Sequence, residues 1–205
     1  MNLFAQKYIA NRKCIFIYVL CLFVLSLIPL LVITQYNHPS ADDFSFGVHT
    51  VSAWRETGSF TQTISAAIDG TRHVYNTWQG TFAAVFLMTL HPAVFGEHLY
   101  MLGSIVLILG FIAAMMFLLK VILVNYFGAD KYNYGIIAMV TTFLSMQFLV
   151  SPVEAFYWYN GGMFYTGFHS IAMILFALTL LWMKTDRTHI KVACAILISP
   201  LRLCM

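Results

Sequence analysis

Residues 15–33 read IFIYVLCLFVLSLIPLLVI, nineteen residues without a charge. A helix needs about 20 apolar residues to cross the hydrocarbon core of a bilayer. The stretch follows Lys7, Arg12 and Lys13, as a secretory signal would. It exceeds a signal's apolar region of about 7–15 residues, and no A-x-A cleavage site follows. It therefore reads as an uncleaved anchor. Pro29 lies inside it, which membrane helices tolerate.

Three further runs share this character. Leu99–Leu119 gives 21 residues and Phe164–Met183 gives 20, both without a charge, while Tyr134–Val150 gives 17. The sequence predicts four transmembrane helices. Composition agrees: 60% of the residues are hydrophobic and 9% charged, against about 45–50% and about 25% in soluble domains. Eight acids and eleven bases cannot clothe a water-soluble surface of this size. The fold class is all-α, a polytopic helical membrane protein in which residues 1–205 form one transmembrane domain.

Gly80–Phe95 is apolar but only 16 residues long, and the basic residues decide its reading. If it does not span, Lys7, Arg12, Lys13, Lys120, Lys131, Lys184, Arg187 and Lys191 share one side, against Arg55 and Arg72. If it spans, only Lys7, Arg12 and Lys13 stay inside. The first arrangement obeys the positive-inside rule. Gly80–Phe95 is then an interfacial helix, or one dipping partway into the membrane. The N-terminus is cytoplasmic, the membrane is the cytoplasmic one, and residues 34–98 form a large extracytoplasmic loop. Within it, Phe46–Ser59 and Gln62–Trp78 read as amphipathic helices broken at Thr57-Gly58. Ser151–Met163 is a second outer loop, in which Gly161-Gly162 allows a tight turn. Val192–Ile198 resembles the start of a fifth span that stops after seven apolar residues, as in a truncated product.

The chemistry-bearing residues crowd the first outer loop. It holds or borders Asp42, Asp43, Glu56, Asp69 and Glu97, together with five of seven histidines. Adjacent Asp42 and Asp43 could supply a general base or bind a divalent cation. Equally, Ser40 and Asp43 have the spacing of an acidic capping box. Arg72 and His73 could donate to phosphate or lie at the interface. Trp78 fits both a lipid-facing aromatic belt and a substrate contact. In the second loop, Glu154 is the one charge amid aromatics, and could pair with Arg72 or meet a substrate. His169 reads as a helix-packing residue. Cys14, Cys21, Cys194 and Cys204 lack CxxC spacing and read as small buried apolar residues, without disulfide or zinc. Basic residues form no stripe, so no nucleic acid partner is expected.

Ala41-Asp42-Asp43-Phe44, Thr77-Trp78-Gln79-Gly80-Thr81 and Glu154-Ala-Phe-Tyr-Trp-Tyr-Asn-Gly-Gly162 occur here in that order around the spans. This order resembles an uncharacterised bacterial family of polytopic membrane proteins grouped with the GT-C glycosyltransferases. The resemblance covers most of the chain but only the front of a typical member. It implies transfer of a sugar from a polyprenyl-phosphate carrier to an extracytoplasmic acceptor. Asp42 and Asp43 match its acidic motif, Trp78 and Gly80 its W-x-G element, and Glu154, Trp158 and Gly161 its second-loop element. Many relatives have Arg where this chain has Thr81. The alternatives are a transporter component or a non-catalytic membrane fragment. Against the transporter, the four apolar runs carry no acid or base apart from His169, whereas transporters place ionisable groups near the midplane.

Overall fold

The computed structural model describes residues 3–184, 192–194 and 196, with side chains from Asn11 onward. Among them all regular structure is helical. Three helical stretches are long and apolar enough to cross a membrane: Asn11–Tyr36, Glu97–Tyr126 and Tyr159–Lys184. The first belongs to α1 (Leu3–Ile33), which runs through Pro29. The second contains α5 (Tyr100–Lys120) and a π-helical turn, Val121–Tyr126. The third comprises α7 (Tyr159–Gly162), a π-helical turn at Met163–Gly167 and α8 (Phe168–Lys184).

The fourth expected span, Tyr134–Val150, is not among these three, and its helix lies three residues nearer the N-terminus. It forms α6 (Lys131–Gln147), 17 residues that stop before Val150. Asp130 starts α6 well: its extended backbone (φ −69°, ψ 163°) lets the carboxylate accept from the N–H groups of Tyr132 and Asn133.

α1 and α6 run in the same direction. Arg12 Nη1 meets Asp130 Oδ2 at 2.8 Å, and Phe16 packs edge-on against Tyr132. Further along, Gln147 Nε2 donates to the Ser26 carbonyl at 3.0 Å. α5 and α8 likewise run in the same direction as each other: Tyr100 lies beside Tyr159 at one end, and at the other Tyr126 donates to Leu180 O at 2.5 Å and Lys184 to Asn125 O. Arg12, Asp130, Asn125 and Lys184 thus mark one end of the bundle. The core between the ends holds Leu107, Ile108, Phe111, Met146, Phe156 and Met173. Most of α1 faces outward, as befits a helix with lipid for solvent. Cys14 and Cys21 are exposed on it rather than buried, while Cys194 is buried. Cys204, Arg187 and Lys191 lie outside the described residues, as do Ala195, Leu197 and Ile198 of the expected fifth span.

The first outer segment folds as three helices. α2 (Asp43–Thr57) and α3 (Phe60–Thr77) are separated at Gly58, whose φ of 60° closes α2. Ser59 then caps α3 from an extended backbone. α4 (Phe82–Thr89) spans only eight residues, too few to cross a membrane. It buries Ala84, Val85, Met88 and Thr89 and packs against α2 and α3. The faces that meet are small: Gly47 and Thr50 on α2, and Thr63, Ala67 and Thr71 on α3, are buried. Small side chains let helix backbones approach closely.

The second outer loop is not open. Val153–Tyr157 forms a π-helical turn, and α7 carries Gly161 and Gly162 as buried helical residues instead of a tight turn. Packing explains the choice of glycine. A Cβ at Gly162 would lie 2.6 Å from Leu107 Cδ1, and one at Gly161 would collide with the Trp158 ring.

Candidate functional site

The end of the bundle opposite Arg12 is tied together by side chains. Asn37, just after α1, donates to Ser104 Oγ at 2.7 Å and to Tyr157 O at 2.5 Å. Asp43, the first residue of α2, is fully buried. Its Oδ1 accepts from Asn160 N at 3.1 Å, and its Oδ2 accepts from Ser40 N at 3.1 Å and from the Tyr100 hydroxyl. That hydroxyl in turn accepts from Tyr159 N at 2.8 Å. One carboxylate therefore joins α2, α5 and α7. Of the capping box read from Ser40 and Asp43, half is present: Asp43 accepts from the Ser40 N–H, while Asp43 N donates to the Ser40 carbonyl rather than to its hydroxyl. Helical backbone begins just after Asp42.

His91 lies against the same knot. Its ring is buried edge-on to Tyr100, with centroids 6.2 Å apart. A Cβ at position 47 would strike its Nε2, so Gly47 makes the ring's place. Burial raises the Asp43 carboxyl above its ordinary 3.8, against the pull of its hydrogen bonds and of His91. Burial lowers His91 below its ordinary 6.5, against the pull of the Asp43 charge. Both groups lose water, and each loses its charged form more readily for it.

Around this saturated carboxylate lie polar atoms with no partner. They include Asp42 Oδ1, both ring nitrogens of His91, Trp158 Nε1, and both amide atoms of Asn160. Asn160 is 1% exposed and His91 3%. Buried polar atoms without partners are uncommon. The π-helical turns at Val153–Tyr157 and Met163–Gly167 flank Asn160 on either side. Such turns occur often at functional sites.

The structure brings Asp42, Asp43 and Trp158 to this cluster and leaves the other expected site residues elsewhere. Arg72 and His73 are exposed on α3, and Arg72 pairs with Asp69 at 3.3 Å. It does not pair with Glu154, which is exposed beyond the cluster. Trp78 is 70% exposed and packs beside Phe46. His73 instead joins His49, Glu56 and Asp69 along an open groove between α2 and α3 with a volume of about 420 Å³. His169 is an exposed residue of α8 whose ring stacks beside Phe111. Among the described residues, no three His, Cys, Asp or Glu side chains are grouped to hold a metal ion.

Tyr100, His91 and Asn160 were not singled out by the sequence. Tyr100 lies at the start of an apolar run, and nothing local sets it apart. His91 had a weak signal, a lone histidine between apolar runs. Asn160 stood inside the second-loop motif, but its tie to Asp43 crosses 117 positions of chain.

No family profile, no curated protein and no solved structure matches this chain.

Proposed function

We propose that the chain is a GT-C-like membrane glycosyltransferase, or the front part of one, in which Asp42 is the general base. The observation that carries this reading is the contrast within the acid pair. Asp43 has both oxygens engaged and is buried, so it positions. Asp42 is half-buried and keeps a carboxylate oxygen with no partner. An acceptor hydroxyl gives its proton to Asp42 while its oxygen attacks the anomeric carbon. The bond from that carbon to the phosphate oxygen breaks, and polyprenyl phosphate leaves. Trp158 Nε1 and the Asn160 amide, also unpartnered, supply hydrogen bonds to the sugar.

The topology that suits this chemistry has four crossings. The chain passes from Asp130, level with Arg12, to Asn160, level with Asp43, through α6 and the turn after it. The basic end is cytoplasmic, the Asp42 end lies outside, and the membrane is the cytoplasmic one.

The test is transfer of a labelled sugar from a polyprenyl-phosphate donor in vesicles carrying the chain. Asp42→Asn should abolish transfer at unchanged protein level. Absence of transfer in the unmodified chain, or full activity in Asp42→Asn, would sink the reading.

A further inference from the structure

We propose that the groove between α2 and α3 binds a primary ammonium group. The inference stands apart from glycosyl transfer and uses none of Asp42, Asp43, Trp158 or Asn160. The polar walls of the groove are His49, Ser52 and Glu56 from α2, facing Asp69 and His73 from α3. Each of these side chains offers an acceptor lone pair: two carboxylates, a hydroxyl and, when neutral, two imidazoles. No lysine or arginine is among the lining residues. A phosphate or carboxylate ligand would meet two negative charges there. A cation that donates several hydrogen bonds meets acceptors on both walls.

A competing cation, Arg72, pairs with Asp69. Its bond to Asp69 is 3.3 Å long, between side chains that are 66% and 68% exposed. An exposed pair of that kind is worth little, so Asp69 is available to a ligand. Quaternary ammonium fits the walls less well, since it has no N–H to give to these acceptors.

The groove also has an apolar extension. A second cavity of about 210 Å³ shares His49, Gly70 and His73 with it and is lined further by Phe46 and Trp78. Their rings lie 6.3 Å apart. A ligand whose ammonium head sits between Glu56 and Asp69 can lay its body, or a further cation, against these aromatic faces. At the surface of a membrane protein this chemistry comes from two sources, an aminophospholipid headgroup or a soluble amine.

The test uses the whole chain in phosphatidylcholine nanodiscs. Saturation-transfer NMR with ethanolamine, against tetramethylammonium as control, reads the soluble source. Native mass spectrometry of the chain taken from vesicles of phosphatidylethanolamine and phosphatidylcholine reads the lipid source. Preferential binding of ethanolamine, of phosphatidylethanolamine, or of both supports the site and names its source. The Glu56→Gln/Asp69→Asn double variant should bind about tenfold more weakly, the scale of a lost charge-assisted hydrogen bond. Both side chains are exposed, and an unchanged circular dichroism melt confirms that the variant folds. Equal binding of the quaternary controls, or binding unaffected by the double variant, would overturn the proposal. Sugar transfer plays no part in either readout, so the two proposals fail separately.

Discussion

Asp43 and Asp130 are the same side chain at the same kind of place, the start of a helix. Each accepts two backbone N–H groups: Ser40 and Asn160 for Asp43, Tyr132 and Asn133 for Asp130. Yet their acidities move in opposite directions. The Asn133 N–H, followed by that of Tyr132 and the Arg12 guanidinium, holds Asp130 below the usual carboxylate range. Burial holds Asp43 above it, because three neutral donors do not replace the water it has lost. Asp130 keeps its charge in solvent and fastens two helices at the basic end of the bundle. Asp43 is enclosed and fastens three elements at the other end. Similar hydrogen bonds give different chemistry when the surroundings differ.

The largest effect should come from removing the enclosed member. Asp43→Ala strands the Ser40 and Asn160 N–H groups and the Tyr100 hydroxyl, at a cost of about 3 kcal/mol or more. Thermal unfolding in nanodiscs measures it. A loss no greater than that of a surface substitution would show that the knot does not hold the bundle end together.

Gly47→Ala probes the same region without touching a hydrogen bond. The new Cβ meets His91 Nε2, so the ring or α2 must shift, at a cost of about 1–3 kcal/mol. Gly110→Ala, where a Cβ meets nothing, is the control and should melt like the unmodified chain.

The smallest effect, and the sharpest contrast, lies in pH. A carboxyl whose acidity is weakened by folding stabilises the fold most below its ordinary 3.8, and that contribution is lost as pH rises through the raised value. A carboxyl whose acidity is strengthened contributes fully above 3.8 and loses that contribution as pH falls through the lowered value. Asp43→Asn should therefore remove a loss of stability on the alkaline side of 3.8, and Asp130→Asn one on the acid side. His91, lowered by burial, adds its own loss as pH falls through 6.5 and below, so each variant is compared with the parent at every pH. Parallel profiles for the two variants would break the distinction between the aspartates.

How much was legible beforehand differs between the two ends of the bundle. The helical class, the first, second and last spans and the break at Gly58 followed from apolar runs and turn residues. These are local properties, repeated over many positions. The position of α6 was misplaced by three residues, because hydropathy continues through Val150 while the helical backbone begins at Lys131 and stops at Gln147. Ser151–Met163 was read as a loop with a tight turn, because Gly161-Gly162 signals a turn equally well as close packing. The difference lies in Trp158 and Leu107, which only the folded chain brings against them.

The sequence by itself determined that this is an all-helical membrane protein, because 60% hydrophobic residues in long uncharged runs have no other stable solvent. It also placed the acid pair at the start of the first helix after the first span. Tertiary structure alone decided which acid is enclosed. Asp42 and Asp43 are adjacent and chemically identical, and nothing local distinguishes them. Their difference is made by Tyr100 and Asn160, 57 and 117 residues further along, which meet Asp43 only when α5 and α7 pack beside α2.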